Sequence, residues 1–79
     1  MEIQLNLYAS LNRYLPDNDS RRSRMLKVRE GTRVQDLLDQ IKIPMDVVKI
    51  IFVNGVHASG ETILKDGDRL GVFPPVAGG

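Results

Sequence analysis

The 79-residue chain has no cysteine, no tryptophan and a single histidine. Without cysteine it has no disulfide framework and no thiolate-bound zinc or iron–sulfur centre. One histidine also excludes a zinc site built from several imidazoles. Charge of one sign is scarce: 11 basic residues face 10 acidic ones, far from the excess expected of a protein whose main task is gripping nucleic acid. No apolar run approaches the roughly 20 residues a bilayer crossing needs. The opening residues MEIQLNLYAS do not show a charged segment, an apolar stretch and a small-residue cleavage site. These absences leave the expectation of one soluble, cytoplasmic domain. Its length allows no second one, and a chain this short buries only about 60–65% of its unfolded surface.

What is present reads as alternating strands and helices. Ile3, Leu5 and Leu7 alternate with Glu2, Gln4 and Asn6, a period of two that marks a strand with one apolar face. Leu11, Tyr14 and Leu15 fall at helical spacing before Pro16, predicting a short helix that the proline ends. Residues 16–20 (PDNDS) have turn composition. A second strand is predicted from Arg24 to Glu30, with Leu26 and Val28 inward and Lys27 and Arg29 outward. Thr32 with Gln35 three residues on has the spacing of a capping box. Val34, Leu37, Leu38 and Ile41 then recur at i, i+3, i+4 and i+7, predicting an amphipathic helix of about three turns that ends before Pro44. Residues 50–53 (IIFV) suit a covered strand. Asn54-Gly55 is a hairpin signal, because a type I′ turn needs positive φ at both central residues. Val56 to Ala58 returns, Ile63 and Leu64 tuck back, Asp66-Gly67-Asp68 turns, and Arg69 to Phe73 is the last strand. The order predicts an α+β domain: one main helix packed across a mixed sheet of four or five strands.

Conventional catalysis finds no residues here. His57 has no oriented partner in the pattern, and a surface position or a partner contact is the plainer reading. The carboxylates Asp17, Asp19, Asp36, Asp39, Asp66 and Asp68 are explained by turns and a solvated helix face. Glycines 55, 60, 67 and 71 make no phosphate-binding pattern. The chain does not read as an enzyme by itself, nor as a holder of a cofactor or metal. Six of the eleven basic residues lie between positions 21 and 33 (Arg21, Arg22, Arg24, Lys27, Arg29, Arg33). They fit a solvated face or a patch for an acidic protein surface, and with no aromatic residue among them to stack bases, nucleic acid is not the expected partner.

The end of the chain is more telling. Pro74 and Pro75 fix φ and remove two amide donors, so a tail over residues 74–79 must leave the sheet of a domain over residues 1–73. Val76, Ala77, Gly78 and Gly79 then shrink in size. Six extended residues reach roughly 20 Å. A tail this thin fits a narrow channel in another protein, and Gly79 leaves its carboxylate without a side chain to hinder attack. Average glycine usage of about 7% gives a chance Gly-Gly end about once in two hundred chains, so the weight rests on the combination: Gly-Gly after Pro-Pro, directly after the last strand of a one-helix domain.

The N-terminal strand, the Thr32-capped helix, FVNG (52–55), LKDGDRLGVF (64–73) and PPVAGG together resemble the ubiquitin-like sulfur carriers of the MoaD/ThiS group. Within that group, FPPVAGG is more similar to the small subunit of molybdopterin synthase than to the thiamine carrier. The resemblance implies a ubiquitin-like β-grasp fold. It implies an activating adenylyltransferase, related to those that charge ubiquitin, that joins Gly79 to AMP from ATP. A persulfide donor then leaves Gly79 as a thiocarboxylate, which delivers sulfur inside a second partner such as the large subunit of molybdopterin synthase. ATP contacts would belong to the activating enzyme, so the carrier itself binds no cofactor and no membrane. Docking in the group uses a partly apolar sheet surface beside the tail, which here would involve Phe73, Pro74, Pro75, Val76, Ala77 and His57, with Gly78 and Gly79 at the reacting end. His57 stands where relatives often carry a large aliphatic residue, and the Arg21–Arg24 loop has no counterpart in minimal members. Three other expectations stay open: a carrier for thiamine or another thiolation pathway, a modifier joined to lysines, and a non-covalent β-grasp interaction domain.

Overall fold

Burial alternates along the first strand with the period of two that the sequence carries: Ile3, Leu5 and Leu7 have no exposed surface, while Gln4 and Asn6 are half-buried. The computed structural model describes residues 1–14 and 23–75. Its strands are β1 (Glu2–Leu7), β2 (Ser23–Lys27), β3 (Ile50–Val53), β4 (Val56–Ala58) and β5 (Arg69–Phe73), with one α-helix, α1 (Val34–Gln40). Short 3-10 helices cover Ala9–Tyr14 and Met45–Val47. The strands form one mixed sheet in the order β2-β1-β5-β3-β4. The central pair β1 and β5 is parallel, with Leu5 opposite Leu70, and the other pairs are antiparallel.

One side of this sheet is the core. Ile3, Leu5, Leu7, Ile51, Leu70 and Val72 from the strands meet Val34, Leu37 and Leu38 from α1, joined by Leu11, Val28, Ile43 and Leu64 from the connections. The expected α+β architecture is therefore present, with five strands.

Several local expectations are corrected. The helix cap is Arg33, not Thr32. Thr32 is buried and its hydroxyl donates to the carbonyl of Arg29 at 2.6 Å, whereas Arg33 is extended (φ −87°, ψ 160°) and its N–H donates to Asp36 Oδ2 at 3.1 Å. The next two amides, of Val34 and Gln35, donate to the carbonyls of Thr62 and Gly60 at 2.9 Å. A loop distant in sequence thus satisfies helix donors that usually need a local cap. At the other end α1 stops after seven residues rather than three turns. Lys42 turns left-handed (φ 66°), its N–H bonds the Asp39 carbonyl and the N–H of Ile43 bonds the Leu38 carbonyl. This is a Schellman stop with lysine where glycine is usual. It buries Ile43, and Ile41 stays half-buried beside the core. β2 ends at Lys27, earlier than Glu30, although Leu26 and Val28 face inward and Lys27 and Arg29 are exposed as the alternation predicts. Of the pair expected to tuck back, Leu64 is buried but Ile63 is 58% exposed. A bridge between Arg33 and Ile63 makes that segment extended, so consecutive side chains point to opposite sides. The predicted helix at Leu11 and Tyr14 is a 3-10 helix that starts at Ala9. Leu15, Pro16, the PDNDS turn and Arg21 and Arg22 lie outside the described residues.

The Asn54-Gly55 hairpin is as expected, with φ of 54° and 79°. Asn54 also ties β3 to β5: its Nδ2 donates to Asp68 Oδ1 at 2.8 Å, and its Oδ1 accepts from the Arg69 N–H at 2.9 Å.

Arg33 also donates to both Asp36 oxygens from its side chain and to Glu61 at 3.1 Å. These hydrogen bonds, with the guanidinium charge, hold the Asp36 carboxyl below its ordinary value, while Arg33 is raised further and stays charged. A depressed carboxyl contributes stability that is complete above its unfolded-state pKa and is lost as pH falls through the folded one. Wild type is therefore expected to melt above Asp36→Asn at neutral pH, with the gap closing as pH drops below about 4. Thermal melts of both proteins across that range check this, and a pH-independent gap contradicts it.

Candidate functional site

The sheet face away from the core is where the chain departs from a plain polar surface. Alternation places Gln4, Asn6 and Tyr8 on this face from β1 and its extension, with Arg69, Gly71 and Phe73 from β5, Phe52 from β3 and His57 from β4. Four rings run across it. Tyr8 stacks on Phe73 with centroids 4.1 Å apart and planes 2° from parallel. Phe52 meets Phe73 edge-on at 5.9 Å, and His57 meets Phe52 edge-on at 5.8 Å. Such offset and perpendicular arrangements suit the ring quadrupoles.

Backbone geometry fixes this row. The Tyr8 N–H donates to the Val72 carbonyl at 3.2 Å, which carries the parallel pairing one residue past β1. Ala9 then takes a positive φ of 51° and turns the chain into the 3-10 helix, leaving Tyr8 beside β5. Phe73 pairs with Ile50, and its carbonyl accepts from the Lys49 N–H at 2.8 Å. β5 ends there. Pro74 has no N–H to extend the ladder; it is half-buried, and Pro75 is exposed.

Between the rings lies an open groove of about 360 Å³, lined by Tyr8, Phe52, Gly55, Gly71 and Phe73, with Gln4, Asn6 and Arg69 along its polar side. Gln4 Nε2 donates to Asn6 Oδ1 at 3.3 Å. Gly71 forms the floor, with Tyr8 Cε2 3.5 Å and Phe73 Cε1 3.9 Å from where its Cβ would stand.

Of the residues singled out from sequence, Phe73, Pro74 and His57 belong to this face or its rim, with His57 reaching Phe73 through Phe52. Val76, Ala77, Gly78 and Gly79 lie outside the described residues. Sequence reading missed Tyr8, Phe52 and Gly71. Tyr8 was legible as the aromatic member of the outward series Gln4, Asn6, Tyr8, and Gly71 as the outward residue between Leu70 and Val72. Of the described members of the basic cluster, Arg33 is engaged by Asp36 and Glu61, while Lys27 and Arg29 are exposed. Among the described residues no group of three or more potential metal ligands occurs, and no helix is long and apolar enough to cross a membrane.

A family model, that of the ThiS family, matches residues 9–79. No curated protein sequence matches the chain at a significant level. Among solved structures, it is similar to a Pyrococcus furiosus protein described as molybdopterin converting factor, subunit 1, with 32% identity over 95% of this chain and 98% of that one and a TM-score of 0.70. SAMP1 of Haloferax volcanii shares 23% identity over the whole of both chains, with a TM-score of 0.72. A protein in the complex of subunits 1 and 2 of the Helicobacter pylori molybdopterin-converting factor shares 22% identity over the whole of both chains, with a TM-score of 0.61. The last two likenesses establish the ubiquitin-like β-grasp fold.

Proposed function

This chain belongs to the ThiS family of small ubiquitin-like carrier and modifier proteins, and on that premise we propose that it is a sulfur carrier for molybdopterin biosynthesis, working in the cytoplasm through the carboxylate of Gly79. A carboxylate resists nucleophiles because of its own charge. An activating adenylyltransferase removes that obstacle: a Gly79 oxygen attacks the α-phosphorus of ATP, pyrophosphate leaves, and the carboxyl becomes a mixed anhydride with AMP. The terminal sulfur of a persulfide attacks the acyl carbon and AMP departs. A thiol then cleaves the S–S bond, leaving Gly79 as a thiocarboxylate that passes its sulfur to an acceptor held by a second partner, a molybdopterin synthase large subunit. The carrier binds no cofactor of its own, since ATP is used by the activating enzyme.

The observation that carries this reading is the aromatic face at the end of β5, where Phe73 is followed in sequence by PPVAGG. The domain over residues 1–73 docks, and the tail over residues 74–79 reaches into the partner. Phe73, Pro74, Pro75, Val76, Ala77 and His57 contact the partner, while Gly78 lets the backbone pass closely. The likeness to the Pyrococcus furiosus subunit supports the pathway, and the Helicobacter pylori complex of subunits 1 and 2 supports the kind of acceptor.

Intact mass after incubation with ATP, a persulfide donor and activating enzymes from the same genome tests the proposal. The expected change is one oxygen replaced by sulfur. No change, with those enzymes active on their own substrates, overturns it. Lysine conjugates of the chain in cells, without sulfur loading, would instead identify a modifier.

A further inference from the structure

We propose that Asn54-Gly55 is a self-modification site, a deamidation site that the fold holds shut through Asp68 and Arg69 and whose product unfastens the β3–β4 hairpin from β5. Asparagine is a chemically labile residue, and of the asparagines in this chain Asn54 is the one followed by glycine. The following residue matters because its backbone nitrogen is the nucleophile. With its proton lost to solvent base, the Gly55 nitrogen attacks Asn54 Cγ and closes a succinimide ring. The Cγ–Nδ2 bond breaks, and ammonia leaves after taking a proton from water. A second water then adds to either ring carbonyl and opens the ring to aspartate or isoaspartate. Glycine puts no side chain beside the attacking nitrogen, and nothing lies within 4 Å of where a Gly55 Cβ would stand. Both residues are exposed, so water reaches the ring.

The folded chain opposes the first step. To meet the Gly55 nitrogen, Asn54 Cγ must turn about the side-chain bonds, and both ends of its amide are tethered. Nδ2 donates to Asp68 Oδ1 at 2.8 Å, and Oδ1 accepts from the Arg69 N–H at 2.9 Å. The Asp68 carboxylate is fixed in turn by its other oxygen, which accepts from the Lys65 N–H at 2.7 Å. The backbone of Asn54 is held as well, its N–H donating to the Arg69 carbonyl at 2.8 Å. Rotation breaks both side-chain hydrogen bonds at once, so ring closure waits for a local opening.

The same two bonds decide what the product does. An aspartate at position 54 has no N–H for Asp68 and sets a second carboxylate against it. An isoaspartate lengthens the backbone by one atom inside a two-residue turn, whose register depends on the positive φ of 54° and 79° at its central positions. Either product loosens the end of the ladder where Val53 pairs with Leu70. β3 and β4 carry Phe52 and His57, so the change reaches the aromatic face through the hairpin. Released ammonia is not put back, which makes the site an ageing mark: each opening of the turn exposes the tie to permanent loss.

Peptide mapping by mass, on the full chain at mildly alkaline pH with and without urea, reads the rate as amide nitrogen replaced by oxygen at Asn54. Asp66-Gly67 closes the same kind of ring without a change of mass, so the two sites are distinguished. Folded wild type is expected to deamidate at least about tenfold more slowly than the unfolded chain. Asp68→Ala should react about threefold or more faster than wild type when folded, and at the wild-type rate in urea. Asn54→Asp should melt about 4 °C or more below wild type. Equal wild-type rates with and without urea overturn the lock, and that comparison decides it if Asp68→Ala does not fold. A folded Asp68→Ala that reacts no faster than wild type overturns the assignment to these bonds. No deamidation in urea overturns the site, and a wild-type melt for Asn54→Asp overturns the effect of the product.

Discussion

Removal of Gly79 is expected to abolish sulfur loading completely while leaving the thermal melt of the domain unchanged. The two halves of that result come from different parts of the molecule. In the proposed function, loading depends on one carboxylate at the end of a chain thin enough to enter an active site built elsewhere. Without Gly79 the terminal carboxylate belongs to Gly78 and stops about 3.3–3.6 Å short of the reacting phosphate, a displacement that in-line attack does not tolerate. Stability depends on the core, whose described members all lie between Ile3 and Val72. Gly78→Val should act in the same way, because a β-branched side chain widens the tail just where glycine keeps it thin. Intact mass reads the loading and a melt reads the fold. A truncated protein that still gains sulfur refutes the role of Gly79, and one that unfolds shows the tail to be structural.

The second large effect belongs to α1. Seven residues make about two turns, too few to hold a helix in water by itself, so α1 persists through the face it buries. Leu37 sits in the centre of that face with 1% of its surface exposed, between Val34 and Leu38, which are equally covered. Leu37→Ala is expected to cost about 2–5 kcal/mol. At roughly 0.05–0.15 kcal/mol per residue, a domain of this length has on the order of 4–12 kcal/mol in total. The loss should therefore lower the melting temperature by about 8 °C or more. Leu37→Met, which keeps the volume, should cost less than about 1.5 kcal/mol. Urea titrations of the three proteins decide it. An alanine variant within about 1 kcal/mol of wild type would mean that α1 is not packed as described.

Such a core variant and the tail variants should also separate in function. Leu37→Ala is expected to lose loading only in proportion to the unfolded fraction, whereas loss of Gly79 removes it from a fully folded protein.

How far the sequence could be read depended on whether the forces were local. The β1 alternation, the helical spacing of Val34, Leu37 and Leu38, the paired positive φ of Asn54-Gly55 and the last strand at Arg69–Phe73 each follow from period or turn chemistry within a few residues, and the fold has them. The helix ends were less legible. Thr32 offered the usual capping chemistry, but its hydroxyl bonds Arg29, and the loop carbonyls of Gly60 and Thr62 take the helix amides. At the other end lysine holds the left-handed position with no glycine to announce it.

By itself, then, the sequence determined the element order, the apolar faces that make the core and the family resemblance. Tertiary structure decided which outward residues meet. Tyr8 and Phe73 stand 65 positions apart and stack at 4.1 Å only because β1 and β5 lie side by side in parallel, and Phe52 joins them because β3 flanks β5 on the other side. The same pairing lays Gln4 and Asn6 beside Arg69 and Gly71. The physical reason is that a period of two fixes only the face a side chain takes. Its neighbours across the strands are set by sheet order and register, which arise from contacts between segments far apart in the chain.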